Sequence, residues 1–159
     1  MAGHAPKVNN ALLVRDRQTR KVDVRLLRKI VRALLNELAA PTTTELAIYI
    51  VDDDEMTRLN ETYLRHKGST DVLTFNYAVP GANGKLNGEV FVCSEVAVRQ
   101  ARRFRTTWQS ELVRYVVHGI LHLMGYDDHS SRDRRRMKKE ENRWVRELAS
   151  RFPLQRLGG

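Results

Sequence analysis

Three of the five histidines stand in one short stretch, His118-Gly-Ile-Leu-His122-Leu-Met-Gly-Tyr-Asp-Asp-His129. An α-helix turns once every 3.6 residues, so His118 and His122, at i and i+4, project from one face a single turn apart. Gly125 then ends the helix and lets the chain fold back, which brings His129 toward the same point. Three imidazoles without a fourth protein ligand describe an open zinc site, in which water takes the remaining position and can be activated at neutral pH. The carboxylate of Asp128 is a chemically acceptable third ligand. His129 is the expected one, because three neutral imidazoles leave a dipositive centre that acidifies water more strongly than a carboxylate-bearing one.

A structural reading competes with the metal. The same helix carries Leu112, Val113, Val116, Val117, Ile120, Leu121 and Met124, so it is apolar almost all round, and a buried histidine is more often a hydrogen-bonded core residue than a ligand. Two histidines one turn apart with a third just past a helix-ending glycine favour metal, since unpaired buried imidazoles would be costly. The spacing is also close to the zinc-peptidase pattern H-E-x-x-H-x-x-G-x-x-H, but Gly119 stands where a peptidase keeps its glutamate base. The ligands are present without that base.

The elements that must hold these residues can be read from periodicity. Residues 8–14 form a first strand. A helix over 24–38 follows, with Val24, Leu27, Ile30, Val31, Leu34, Leu35 and Leu38 at helical spacing, and Ala39-Ala40-Pro41 ends it. A second strand covers 45–51, and Asp52 caps a helix running to about Leu64. Strands over 72–77 and 89–92 are joined by an irregular segment, 80–88, rich in Gly, Asn and Pro. Ser94 opens a helix to about Phe104, Gln109 begins the metal-bearing helix, and Ser130 with Asp133 makes a capping-box-like start to the last one. Along that last helix Met137, Glu141, Trp144, Val145, Leu148 and Phe152 lie on one side. The pattern predicts a single α+β domain over 1–159, with 1–7 and 153–159 as flexible tails. Its core is a four-stranded mixed β-sheet with the long first helix and the buried metal-bearing helix packed against it.

Charge narrows the partner. Lys and Arg outnumber Asp and Glu by 28 to 19, a formal net charge of +9, which suits a polyanion better than an acidic small molecule. Basic residues flank the metal helix: Arg99, Arg102, Arg103 and Arg105 before it, and Arg132, Arg134, Arg135, Arg136, Lys138 and Lys139 after it. Such runs are often plain solvated helix faces, but their position beside the proposed site favours a phosphate backbone, with Arg102, Arg103, Arg134, Arg135 and Lys138 as the expected nucleic-acid contacts. No apolar run is long enough for a membrane span or a signal peptide, so no membrane partner and a cytoplasmic location are expected. The lone Cys93 reads as a small buried residue. His4 is assigned no role, and His66, just before the Thr70 strand, reads first as an exposed polar side chain and second as one that could touch substrate.

At the histidine stretch the sequence resembles the YbeY family of bacterial rRNA-maturation endoribonucleases, whose signature H-G-x-L-H-L-x-G-Y-D-H is matched by His118, Gly119, Leu121, His122, Leu123, Gly125, Tyr126 and Asp127. Thr70-Asp-Val-Leu-Thr-Phe75 resembles the family's T-D-V-L-[ST]-F strand, and Gly88-Glu-Val-Phe-Val-Cys-Ser94 its G-[DE]-[IV]-x-[IV] strand. Leu59-Asn60 with Tyr63 resembles its L-N-x-x-Y helix. The pattern departs twice. The family's third histidine falls on Asp128, with His129 one residue late, and its catalytic arginine falls on Leu64, so that role passes to Arg65, for which a helix-end cation is the competing reading. The resemblance implies one zinc ion per chain and a zinc-dependent, single-strand-specific endoribonuclease. It would act with the small ribosomal subunit in 16S rRNA 3′-end maturation and ribosome quality control. The alternatives are a non-catalytic zinc-containing assembly factor that binds rRNA and, more remotely, a metal-dependent hydrolase of a small substrate.

Overall fold

The computed structural model describes residues 10–38, 43–79 and 85–159; the expected first-strand residues 8–9, the tail 1–7 and the helix-ending 39–41 lie outside them. Strand β1 (Asn10–Asp16) leads through helix α1 (Val24–Glu37) to β2 (Thr43–Val51), and helix α2 (Asp53–Leu59) precedes β3 (Val72–Asn76) and β4 (Lys85–Cys93). Helices α3 (Ser94–Phe104), α4 (Trp108–Leu123) and α5 (Ser131–Arg151) complete the described order together with two short turns. The sheet runs β1-β2-β4-β3, parallel throughout except at the edge, where β3 is antiparallel to β4. This is the expected α+β domain with a mixed four-stranded sheet.

Alternation decides which face of the sheet is dry. Leu46, Ile48 and Ile50 of β2 sit opposite Gly88, Val90 and Val92 of β4, and they point at the helices. Leu27, Ile30, Val31 and Leu34 of α1 and Leu112, Val113, Val116, Val117, Ile120 and Leu121 of α4 close over them, all essentially inaccessible to water. Each such side chain contributes about 1.5–3 kcal/mol on burial, so the face is held mainly by apolar contact.

Two glycines let α4 come close. A Cβ on Gly119 would lie 2.5 Å from Val90 Cγ1, and one on Gly88 would lie 2.6 Å from the Phe75 carbonyl and 2.7 Å from Leu123 Cδ2. Gly88 and Asn87 break the apolar alternation, and for that reason 85–88 read as loop. They are strand, in register with Thr43–Leu46, and the glycine is there because Leu123 needs the space.

Caps set the helix limits. Asp23, Asp52, Thr107 and Ser130 each accept a backbone N–H from the first turn of the helix they precede. Past Leu59 the chain does not continue as the expected α-helix: Asn60–Leu64 is a wider π-helical turn, closed by Arg65 in the left-handed region at φ 56°. Buried Asn60 donates to the Gly68 carbonyl at 2.9 Å and holds the segment against β3. The expectation of a flexible tail over 153–159 is corrected. Leu154–Gly158 is a 3₁₀ turn whose Leu154 and Leu157 are buried against α1 and α4, and the Asp23 amide donates to the Leu157 carbonyl at 2.8 Å. Its two leucines dock because they fill a gap between helices that already exists.

Candidate metal centre

Helix α4 presents His118 and His122 as its spacing requires, one turn apart with ring centroids 4.8 Å from each other, on a strip half-open to solvent between otherwise buried neighbours. Two consecutive bonds end the helix: the Gly125 amide donates to the His122 carbonyl and the Tyr126 amide to the Leu121 carbonyl, both at 3.0 Å, with Gly125 at φ 102°. That is a Schellman closure, and it needs the glycine. The chain then folds back as predicted.

The residue it delivers is not the predicted one. Asp127 Oδ1 accepts from the amides of Asp128 (2.7 Å) and His129 (3.2 Å), which makes an Asx turn. The turn aims Asp128 inward, its Oδ2 at 3.3 Å from His122 Nε2 and 3.9 Å from His118 Nε2. His129 points the other way, its side chain 88 % exposed and its Nε2 3.3 Å from Asp127 Oδ1. So the structure brings His118 and His122 together with Asp128 and leaves the expected His129 outside. Doubling the aspartate filled the turn with a second short acceptor rather than shifting the loop by one residue. The ligand atoms of His118, His122 and Asp128 all lie within 4.8 Å of one another. Two imidazoles and a carboxylate, each partly exposed, are a donor set that open zinc sites use.

Helix α5 supplies what the sequence analysis missed. Glu141 Oε2 lies 2.8 Å from His118 Nδ1, with the Glu141 side chain only 13 % exposed. This contact holds the proton on Nδ1 and frees Nε2 to face Asp128. Burial alone would lower the His118 pKa, but the hydrogen bond and charge of Glu141, helped by Asp71 and Asp128, more than offset it and the net shift is upward. Arg114 flanks the pair, 3.8 Å from Glu141 and 2.7 Å from Asn142. A signal for Glu141 existed: it is a carboxylate on the otherwise apolar inner stripe of α5, between Met137 and Trp144.

The remaining predicted residues are placed as follows. Arg65 is exposed at the end of the π-helical turn and has no ion pair among the described residues. Arg102, Arg103, Arg135 and Lys138 are exposed on α3 and α5. Arg134 is exposed too, but its guanidinium donates to the carbonyls of Asp128 (3.5 Å) and His129 (3.2 Å), so it also ties down the loop that carries Asp128. Cys93 is buried, as expected, and burial pushes its thiol pKa up. Tyr115, one turn before His118, keeps a buried hydroxyl without a hydrogen-bond partner among the described residues.

Fold and site together define an α+β domain whose buried helix offers metal ligands at zinc-peptidase spacing, with glycine in place of the peptidase base. Residues 13–149 match the sequence profile described as Endoribonuclease YbeY, and the chain belongs to the YbeY family. It is 35 % identical over 137 residues to the Endoribonuclease YbeY of Chlorobium luteolum, covering 86 % of this chain and 97 % of that one. With the protein of the same name from Aquifex aeolicus it shares 34 % identity over 136 residues, covering 86 % and 89 % of the two chains. The solution structure of a Thermotoga maritima protein superposes with a TM-score of 0.60 at 27 % identity, over 89 % of this chain and 90 % of that one.

Proposed function

We propose that the protein is a metal-dependent endoribonuclease acting on single-stranded RNA, with zinc held by His118, His122 and Asp128. The observation that carries this reading is the convergence of those three side chains in a partly open position, in a chain whose relatives are named for RNA cleavage. The donors suit the ion: both imidazoles offer Nε2, Glu141 fixes the tautomer of one of them, and the carboxylate supplies a hard oxygen. Zinc bound there supplies Lewis-acid polarisation of the scissile phosphoryl group and lowers the pKa of water beside it.

The chain's own groups do the rest. Glu141 orients His118 and holds the tautomer whose Nε2 faces the ion. Arg65 neutralises charge developing on the phosphorane, and Arg102, Arg103, Arg134, Arg135 and Lys138 grip flanking phosphates, which makes binding steeply dependent on salt. A peptidase-like glutamate has no room at position 119, where Val90 fills the space. In the cell we infer a role in 16S rRNA 3′-end maturation and ribosome quality control, on the small subunit in the cytoplasm; among the described residues no helix is long and apolar enough to cross a membrane.

The rival reading, an rRNA-binding assembly factor with structural zinc, calls for a closed site, whereas the side chains of His118, His122 and Asp128 are 20 %, 26 % and 38 % exposed. The deciding test incubates purified protein with single-stranded RNA, with and without chelator, beside His118→Ala. Cleavage that stops with chelator and in the variant is expected; cleavage indifferent to both sinks the metal-dependent mechanism.

A further inference from the structure

The face of the sheet away from α4 carries a row of aromatic rings. Tyr49 of β2 stacks on Phe91 of β4 with centroids 4.8 Å apart and planes at 15°, Phe91 meets Phe75 of β3 edge-on at 5.7 Å, and Phe75 meets Tyr63 of the π-helical turn edge-on at 5.2 Å. Tyr77, just past β3, hydrogen-bonds Glu89 of β4 at 2.5 Å and so lies over the same face. The outermost rings are bare: Tyr63 is 62 % and Tyr77 53 % exposed. A contiguous row of rings that reaches solvent is the kind of surface that marks a binding site, where single exposed rings are not.

This face is one strand away from the metal centre. Thr74 and Phe75 are neighbours in β3, so their side chains leave on opposite sides of the sheet. Phe75 touches Tyr63, while a Cβ on Gly119, the residue next to His118, would lie 3.3 Å from Thr74 Cγ2. β3 is the edge strand, so a chain can cross from one face to the other around it without obstruction by a further strand.

The charge around the rings suits a polyanion. Arg17 lies over the Tyr49 ring at 5.4 Å, Arg15 sits opposite Tyr49 in the register on the same face, and Arg65, His66 and Lys67 follow the Tyr63 turn, all exposed. Of the carboxylates there, Glu89 is bonded by Tyr77, Glu55 by Arg17 at 2.8 Å and Glu61, exposed on the Tyr63 turn, by the Gly68 amide at 3.4 Å, while Glu45 lies open further along β2.

We propose that Tyr63 and Tyr77 form a stacking platform for unpaired bases of the RNA substrate, the strand passing around the β3 edge so that a neighbouring phosphate reaches His118, His122 and Asp128. The proposal rests on the endoribonuclease reading and adds to it the reason for single-strand preference: paired bases cannot present their faces to a ring. Stacking on a protein ring tolerates any base, so the platform selects for lack of pairing rather than for sequence.

The test is steady-state cleavage by the metal-loaded protein of a single-stranded oligoribonucleotide, and of the same strand with abasic nucleotides flanking the cut. Tyr63→Ala and Tyr77→Ala are each expected to raise KM on the order of tenfold with kcat little changed. Tyr63→Phe should keep the wild-type KM because the ring is retained, and abasic substrate should erase the difference between wild type and Ala variants. Active wild type with unchanged KM in both Ala variants would overturn the platform. Loss in Tyr63→Phe as well would overturn it in favour of a role for the hydroxyl. A wild type that does not cleave RNA removes the endoribonuclease reading and the platform with it.

Discussion

The two regions that bring ligands together are built to different standards of rigidity. His118 and His122 ride on a helix whose backbone ladder, apolar neighbours and Gly119–Val90 contact leave it no freedom to shift. Asp128 sits in a turn held by one Asx interaction from below and the Arg134 guanidinium from outside, both exposed. One half of the centre is fixed by packing and the other by a few polar contacts worth about 0.5–1.5 kcal/mol each. The contrast suggests that the helix sets where the ion sits, and the turn sets how easily it enters and leaves.

The sharpest way to break that contrast is to remove ligands from each half. His122→Ala is expected to abolish both bound metal and cleavage, and Asp128→Ala to weaken both heavily, whereas His129→Ala should change neither by more than a few fold. Metal analysis after dialysis, paired with a cleavage assay, checks this. If His129→Ala proves as damaging as His122→Ala, the turn rearranges on binding and the assignment of Asp128 is wrong.

Next in size is the residue that steadies the rigid half from α5. Glu141→Gln keeps the shape but removes the charge that holds His118 in its tautomer, and about a 10–100-fold loss of metal affinity is expected, measured by competition with a chromophoric chelator. An unaltered affinity would mean that α4 alone orients His118.

Gly119→Ala tests the packing itself. A methyl driven into Val90 should cost about 1–3 kcal/mol of unfolding free energy, read from denaturant melts, because β4 cannot retreat from both α4 and β2. A neutral result would show the rigid half to be softer than its contacts imply.

The smallest effect lies outside both halves. Arg99 grips Asp53 with two bonds of 2.6 and 2.9 Å, and its hydrogen bonds hold the Asp53 carboxyl at about 2, below the ordinary 3.8. A depressed folded-state pKa means that this stabilisation is complete above about 3.8 and is lost as pH falls toward 2. Asp53→Asn should therefore lower Tm slightly at neutral pH and not at pH about 2, where the wild-type carboxyl is protonating as well. An equal loss at both pH values would show the pair to be irrelevant to the acid limb.

Elements whose pattern is local were legible before the structure. The α1 and α4 stripes, the Ser130 helix start and the helix stop at Gly125 follow from spacing and capping chemistry. The order of the strands was not legible, because β1 and β2 pair through register that no local signal encodes. The same limit explains the centre. Two ligands on one helix are dictated by 3.6 residues per turn, but choosing between Asp128 and His129 depends on which side chain captures two backbone amides, and adjacent Asp127 and Asp128 look alike in a string of letters. Glu141 acts across 23 residues, and its partner became visible only when α5 was laid against α4.

The turn over Leu154–Gly158 has a consequence for how the molecule is made. Leu157 is wholly buried and its carbonyl receives the Asp23 amide at the start of α1, so a segment synthesised after α5 completes the cover of two helices synthesised long before it. Until that segment has been made, the first turns of α1 and α4 lack this cover. Closure of this corner of the core therefore depends on residues that lie far along the chain from α1.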